Sequence, residues 1–408
     1  MTARRLEADG FPDVLPGAVG PRPAPPEERT ALRLRLAALA GFVVVHLAVS
    51  LLAVVPGYLS VDEGTYHLMV KNLADGRPFE IWNGYDELPS PELQVGPIWE
   101  RGGRLVAAPP EGFTVVALPF YALLGYRGLF LLNALAFLAT LALVGRLALR
   151  LFGDRVLALD ATLVLALATY LWDYAQAAWP HATATLLVAA AMTAAVHALT
   201  AAGGRFRLGW ALAAGLAAGL GPSVRLDAGF ALPAVLLPFL FARPARLREA
   251  AAALAGTVPG LVALAAVNHH KFGTWSPFSY GKTDDSVSSG MAPYLPLAAL
   301  AAAAVAAAWI ASRERPAAAL RRRPGRVAAA VALAAAAALL VPAARELAAR
   351  LLAGLWQLVV DLRVRDPSIV EPALGRTPDG GLVYVGALKK SLLQSCPYLT
   401  LLAVPAVA

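Results

Sequence analysis

Two adjacent carboxylates, Asp62 and Glu63, stand in the stretch SVDEGTYHLMVK (60–71), directly after a long apolar run. A carboxylate at the mouth of a membrane helix can take the proton of an attacking hydroxyl, and burial there would strengthen it as a base. The plainer reading is a helix start. Ser60 and Glu63 have the spacing of a capping box, Tyr66, Met69, Val70 and Leu73 fall on one face, and Gly76 suits a C-terminal cap. That reading accounts for Glu63 better than for Asp62, since one anion in the first turn already serves the helix dipole.

Other polar groups sit between apolar runs. His181 lies in AAWPHATAT, and Arg225 and Asp227 lie two apart in GPSVRLD. Ionisable residues at membrane depth are costly and often functional, although a mutually neutralised pair is the bland alternative. His269, His270 and Lys271 form a basic cluster followed by Tyr280 and Lys282. Adjacent histidines lack a metal-ligand spacing. Trp82 and Trp99 suit either sugar stacking or anchoring at a membrane interface.

The elements that must position these groups follow from composition. The 408 residues are 58% hydrophobic and 15% charged, well under the charge of soluble domains, with a mean hydropathy of +0.61. Continuous Ala, Leu and Val runs of bilayer-spanning length predict an all-α polytopic membrane protein and exclude an alternating transmembrane barrel. The net charge of +8 gathers in short loops, a topology signal and not a nucleic-acid stripe. The lone Cys396 excludes an internal disulfide framework.

Residues 1–35 are expected to be a disordered cytoplasmic tail. Spans are expected near 36–59, 128–149, 156–172, 179–200, 208–221, 226–242, 249–267, 292–311 and 326–342, with a polar outer loop over 60–111. The apolar segment 112–125 reaches only about 21 Å as a helix, too short to cross, so it is expected to be interfacial or re-entrant. With that choice, nearly all short-loop arginines fall on one side, as the positive-inside rule requires. Residues 344–362 read as an interfacial helix on the outer side. The apolar run at the C-terminus has no polar stop, which leads us to expect a longer parent chain. No G-x-x-x-x-G-K-[ST] phosphate loop is present, and the inner loops leave no room for a nucleotide-binding domain.

The first span, the outer D-E-x-x-Y helix, the long loop and the following PPEGFTVVALPFYALLGYRGLFLLNALAFLATLALVGRLALRLFGDR together resemble the GT-C glycosyltransferases. The similarity is to the protein O-mannosyltransferase and aminoarabinose-transferase branch, the bacterial family 39-like group. NHHKFGTWSPFSYG resembles that group's outer segment, and the likeness spans about residues 36–290. It implies a retained core of about seven spans with two outer loops, within an expected GT-C-like bundle of about nine or ten spans in a bacterial inner membrane, its site facing the periplasm. Residues 291–408 would add further spans. It also implies a polyprenyl-phosphate-sugar donor and an acceptor hydroxyl on a protein or envelope glycan, with Asp62 as general base and Glu63 supporting it. Arg104, Arg225 or Lys271 would hold the lipid phosphate, while His181, Tyr280 and Trp82 would line the sugar or acceptor. Many relatives carry an acid where the fourth span begins; here His181 stands. A divalent metal is left open, and a secondary transporter or flippase of lipid-linked sugars is the competing class.

Overall fold

The computed structural model describes residues 26–53, 61–82, 98–101, 103–201, 203–242, 244–279 and 281, and, nearer the C-terminus, 305–306, 309–310, 333, 340, 342–360, 373–376, 382–385 and 392–395. The chain divides into two units, one of residues 1–167 and 171–305, the other of 168–170 and 306–408. The first contains helices α1 (Pro26–Ala48), α2 (Val61–Ala74), α3 (Gly112–Leu124), α4 (Arg127–Phe152), α5 (Arg155–Leu167), α6 (Leu171–Ala175), α7 (His181–Thr200), α8 (Gly204–Val224), α9 (Ala231–Phe241) and α10 (Leu247–Phe272). In the second unit, the helix Pro342–Val359 overlaps the expected 344–362 segment. Its Leu352, Leu355 and Trp356 are exposed.

Among the described residues, four helices are long and apolar enough to cross a bilayer: Arg29–Ala53, Arg127–Phe152, His181–Thr200 and Leu247–Phe272. The expected span at 156–172 is instead two helices, α5 and α6, separated by a bend at 168–170. The 226–242 span is a 3-10 turn, Leu226–Phe230, followed by the 11-residue α9. Helix α8 has the length, but its glycines and first-turn arginines lower its hydropathy. The expected span at 326–342 and most of 292–311 lie outside the described residues. Helix α1 begins at Pro26, inside the segment expected to be a disordered tail, because proline is well suited to a helix's first turn.

Pair contacts fix how the helices run. Asn133 meets Thr183, and Arg150 meets Thr200, so α4 and α7 are parallel. Helix α8 returns beside α7, with Trp210 stacked on His197. Helices α8 and α10 are parallel and unusually close, because glycines admit the partner's backbone. A Cβ on Gly215 would meet the Ala253 carbonyl, and one on Gly219 would lie 2.5 Å from the Thr257 carbonyl oxygen. Small residues allow such approach between membrane helices. Gly153 (φ 68°) and Gly273 (φ 73°) close α4 and α10 in left-handed caps, where a side chain would be strained.

This arrangement gives the first unit two ends. At the cationic end lie Arg146, Arg150 and Arg155 around the α4–α5 joint, Arg205 and Arg207 at the start of α8, and Arg246 and Arg248 at the start of α10. At the other, α2, α3, the start of α4, the α6–α7 turn and the end of α8 surround an apolar cluster that includes Tyr66, Val70, Phe113, Leu129, Ala178 and Val224.

Candidate functional site

Every described candidate residue lies at the end opposite the arginines. Helix α2 places Asp62 and Glu63 in its first turn, with opposite fates. Asp62 is exposed, whereas Glu63 is 1% exposed and its Oε1 accepts a hydrogen bond from the Ala178 backbone N–H at 3.1 Å. A helical step of about 100° turns one carboxylate to solvent and the other into the protein. This corrects the expectation that Asp62 is partly desolvated. Glu63 also does more than serve its own helix; its partner is 115 residues away. Ser60, the other half of the expected capping box, lies outside the described residues.

The segment that Glu63 holds, 174–181, is secured from a second side. Asn133 Nδ2 donates to the carbonyls of Ala177 (2.7 Å) and Trp179 (2.6 Å), and Thr183 Oγ1 donates to Asn133 Oδ1. So anchored, the turn presents three rings together. Tyr174 stacks on His181 with centroids 4.2 Å apart, and Trp179 lies 5.4 Å from His181. His181 Nδ1 is buried and makes no hydrogen bond. Arg225 closes α8 in extended backbone and its Nε donates to Asp227 Oδ2 at 2.8 Å. Both are close enough to His181 to act on it electrostatically. Glu63 and Asn133 thus fix the turn before α7 to the start of α2 and to α4, with His181 and Arg225 beside it.

Lys271 occupies a different environment from the one expected of a phosphate-binding cation. Its side chain is fully buried, and Nζ donates to Glu111 Oε1 and to the Pro109 carbonyl, each at 2.8 Å. Its charge is already neutralised, and no face of it is open to a lipid phosphate. It ties the end of α10 to the turn that begins α3. Gly112, next in that turn, sits so close to Ser223 that a Cβ would clash with it.

Arg104 sits on a β-hairpin, β1 (Ile98–Arg101) against β2 (Arg104–Ala107), with Ile98 opposite Ala107. It is exposed and paired with Glu80 at 3.1 Å. Trp82 is 39% exposed; its backbone N–H donates to Asn72 Oδ1, and Ile81 N–H donates to the Leu105 carbonyl. Tyr280 lies outside the described residues. Its neighbour Gly281 is tied by its carbonyl to Arg101. On the lateral face of α2, His67 lies 3.4 Å from the Tyr121 hydroxyl and against the Tyr126 ring. Burial, and then the charge of Lys71, hold its pKa below the ordinary histidine value.

Among the described residues, no group of three or more His, Cys, Asp or Glu side chains is placed to hold a metal ion. No family model, curated protein or solved structure matches the chain. Sequence reading missed Asn133, Glu111 and the hairpin. The first two carry no local signal, being ordinary residues until the fold brings carbonyls and Lys271 to them. The hairpin did have one: IWERGGRLVA places Gly-Gly between two strand-like runs.

Proposed function

We propose that the chain is a membrane glycosyltransferase that moves a sugar from a polyprenyl phosphate to an acceptor hydroxyl, at the end of the bundle that carries Asp62. The observation that supports it most directly is the division of labour between the two carboxylates. Asp62 is open to solvent at the start of α2, and its buried neighbour Glu63 fixes that helix end to the turn before α7. A general base needs access to its proton donor and a rigid mount, and this pair supplies both.

In the proposed step, Asp62 takes the acceptor hydroxyl's proton while the oxygen attacks the anomeric carbon. The bond between that carbon and the phosphate oxygen breaks, and polyprenyl phosphate leaves with the electron pair. Arg225, partly exposed and oriented by Asp227, is the cation we assign to the departing phosphate. Arg104 is the alternative, while Lys271 is assigned to holding the 109–112 turn. The ring group of Tyr174, Trp179 and His181 is suited to the face of a sugar. By the positive-inside rule, this end faces the exterior of a bacterial inner membrane.

The test supplies labelled polyprenyl-phosphate sugars to membranes holding the full-length gene product, wild type or Asp62→Asn. Asn preserves size and can cap a helix, but cannot accept the proton. Transfer by wild type, reduced at least about 100-fold in a folded Asn variant, is the expected result. Equal transfer by both would remove Asp62 from the role. Sugar-lipid movement into sealed vesicles without transfer would place the chain among transporters.

A further inference from the structure

We infer that the cationic end carries a binding site for the phosphate headgroup of an acidic membrane lipid, built where α8 and α10 begin. Because these helices are parallel, both N-termini point the same way, and the glycine contacts that pull them together bring their first turns side by side. The join is visible as an ion pair: Arg207 Nε lies 3.1 Å from Glu249 Oε1, and Arg246 Nη1 lies 4.0 Å from the same oxygen. Glu249 is 7% exposed. Arg207 and Arg246 thus share a single buried carboxylate, and with Arg205 and Arg248 at the same two helix starts the joint carries a net positive charge.

Three further observations separate this joint from cations that merely set topology. First, Arg207 Nε is buried and makes no hydrogen bond despite its closeness to Glu249, so the ion pair leaves a donor unsatisfied. Second, Arg205 and Arg248 are exposed, and neither has an ion-pair partner among the described residues. Neither helix start has a side-chain cap, and α8 has no acid in its first turn, so the α8 dipole adds to the positive field. The α5 start differs: Asp154 Oδ1 accepts from the N–H groups of Val156 and Leu157.

Third, the arginines are interleaved with exposed apolar groups. Phe206 is 70% exposed, Leu247 58% and Trp210 42%. A soluble anion gains nothing from these, whereas a lipid places its phosphate on Arg205 and Arg248 while its glycerol and first acyl carbons cover Phe206 and Leu247. Basic pockets between membrane helices bind anionic headgroups in this way. The occupant is thus an acidic phospholipid of the facing leaflet, and the site is separate from that of Asp62.

The experiment follows thermal unfolding of the purified full-length chain in neutral detergent micelles titrated with phosphatidylglycerol or phosphatidylcholine. Phosphatidylglycerol is expected to raise the midpoint saturably, and added salt to weaken it. In Arg205→Gln/Arg248→Gln, the apparent affinity for phosphatidylglycerol should fall about 10-fold or more, with the lipid-free midpoint unchanged. Arg146→Gln/Arg155→Gln removes the same charge from exposed positions at the same end and should retain the response. An equal response to both lipids would overturn the inference. So would equal losses in the two double variants, which would reduce the effect to diffuse surface charge. Inorganic phosphate shifting the midpoint as strongly as phosphatidylglycerol would overturn the lipid assignment.

Discussion

Lys271→Met is the perturbation that most sharply distinguishes a scaffold from a ligand site. Lys271 is fully buried and the Glu111 side chain is 9% exposed, with Nζ and Oε1 2.8 Å apart. Methionine nearly fills the same space but leaves the carboxylate without its cation. Breaking one side of a buried pair costs about 3–5 kcal/mol. The Pro109 carbonyl also loses its donor, which adds about 1 kcal/mol. The expected loss is therefore about 4–6 kcal/mol, enough to unfold a marginal protein. Lys271→Met/Glu111→Leu removes both charges, leaves only the carbonyl unsatisfied, and should recover to within about 1–2 kcal/mol of wild type. Denaturant unfolding in detergent micelles, run as a double-mutant cycle, measures both values. A single variant within about 1 kcal/mol of wild type, with no recovery in the double, would refute the reasoning. Lys271 would then be free to serve a ligand.

Three other outcomes are expected. Gly219→Ala drives a Cβ to 2.5 Å from the Thr257 carbonyl oxygen and should destabilise by about 1–3 kcal/mol; Gly209→Ala, with open space around it, should be neutral or slightly stabilising by the same unfolding assay. Glu63→Gln should unfold about 1–3 kcal/mol more easily, because a charge-assisted acceptor for Ala178 N–H is weakened, whereas Asp62→Asn should leave stability unchanged; the two unfolding curves check this. The depressed pKa of His67 means that below about pH 6.5 the unfolded chain takes up a proton that the folded chain resists. Stability therefore falls as pH drops from about 6.5 toward the folded-state pKa, and is unaffected well above that value. His67→Gln should flatten that slope in unfolding measured across pH.

Much of the architecture was legible locally. Helix α2 carries Tyr66, Met69 and Val70 buried on one face and closes at Gly76, with a φ of 76°, as the pattern of residues 60–76 predicts. The placing of the described arginines of the α4–α5, α7–α8 and α9–α10 joints at one end followed from hydropathy and charge alone, because both are properties of short segments; those of 313–326 lie outside the described residues. Segment boundaries were less secure at 156–172, where continuous apolarity masks a bend. An apolar stretch reads alike whether it forms one helix or two.

Sequence by itself therefore determined that the chain is α-helical, apolar enough for several helices to cross a bilayer, and polarised in charge between two ends. It also singled out Asp62 and Glu63 as a pair. Only tertiary structure decided that one is exposed and the other buried against Ala178, that Lys271 is spent on Glu111, and that α8 and α10 lie parallel with four arginines at one joint. The physical reason is range. Propensity, hydropathy and capping act within a few residues, whereas hydrogen bonds and ion pairs that join positions 63 to 178, 111 to 271 or 207 to 249 exist only once packing has brought them together.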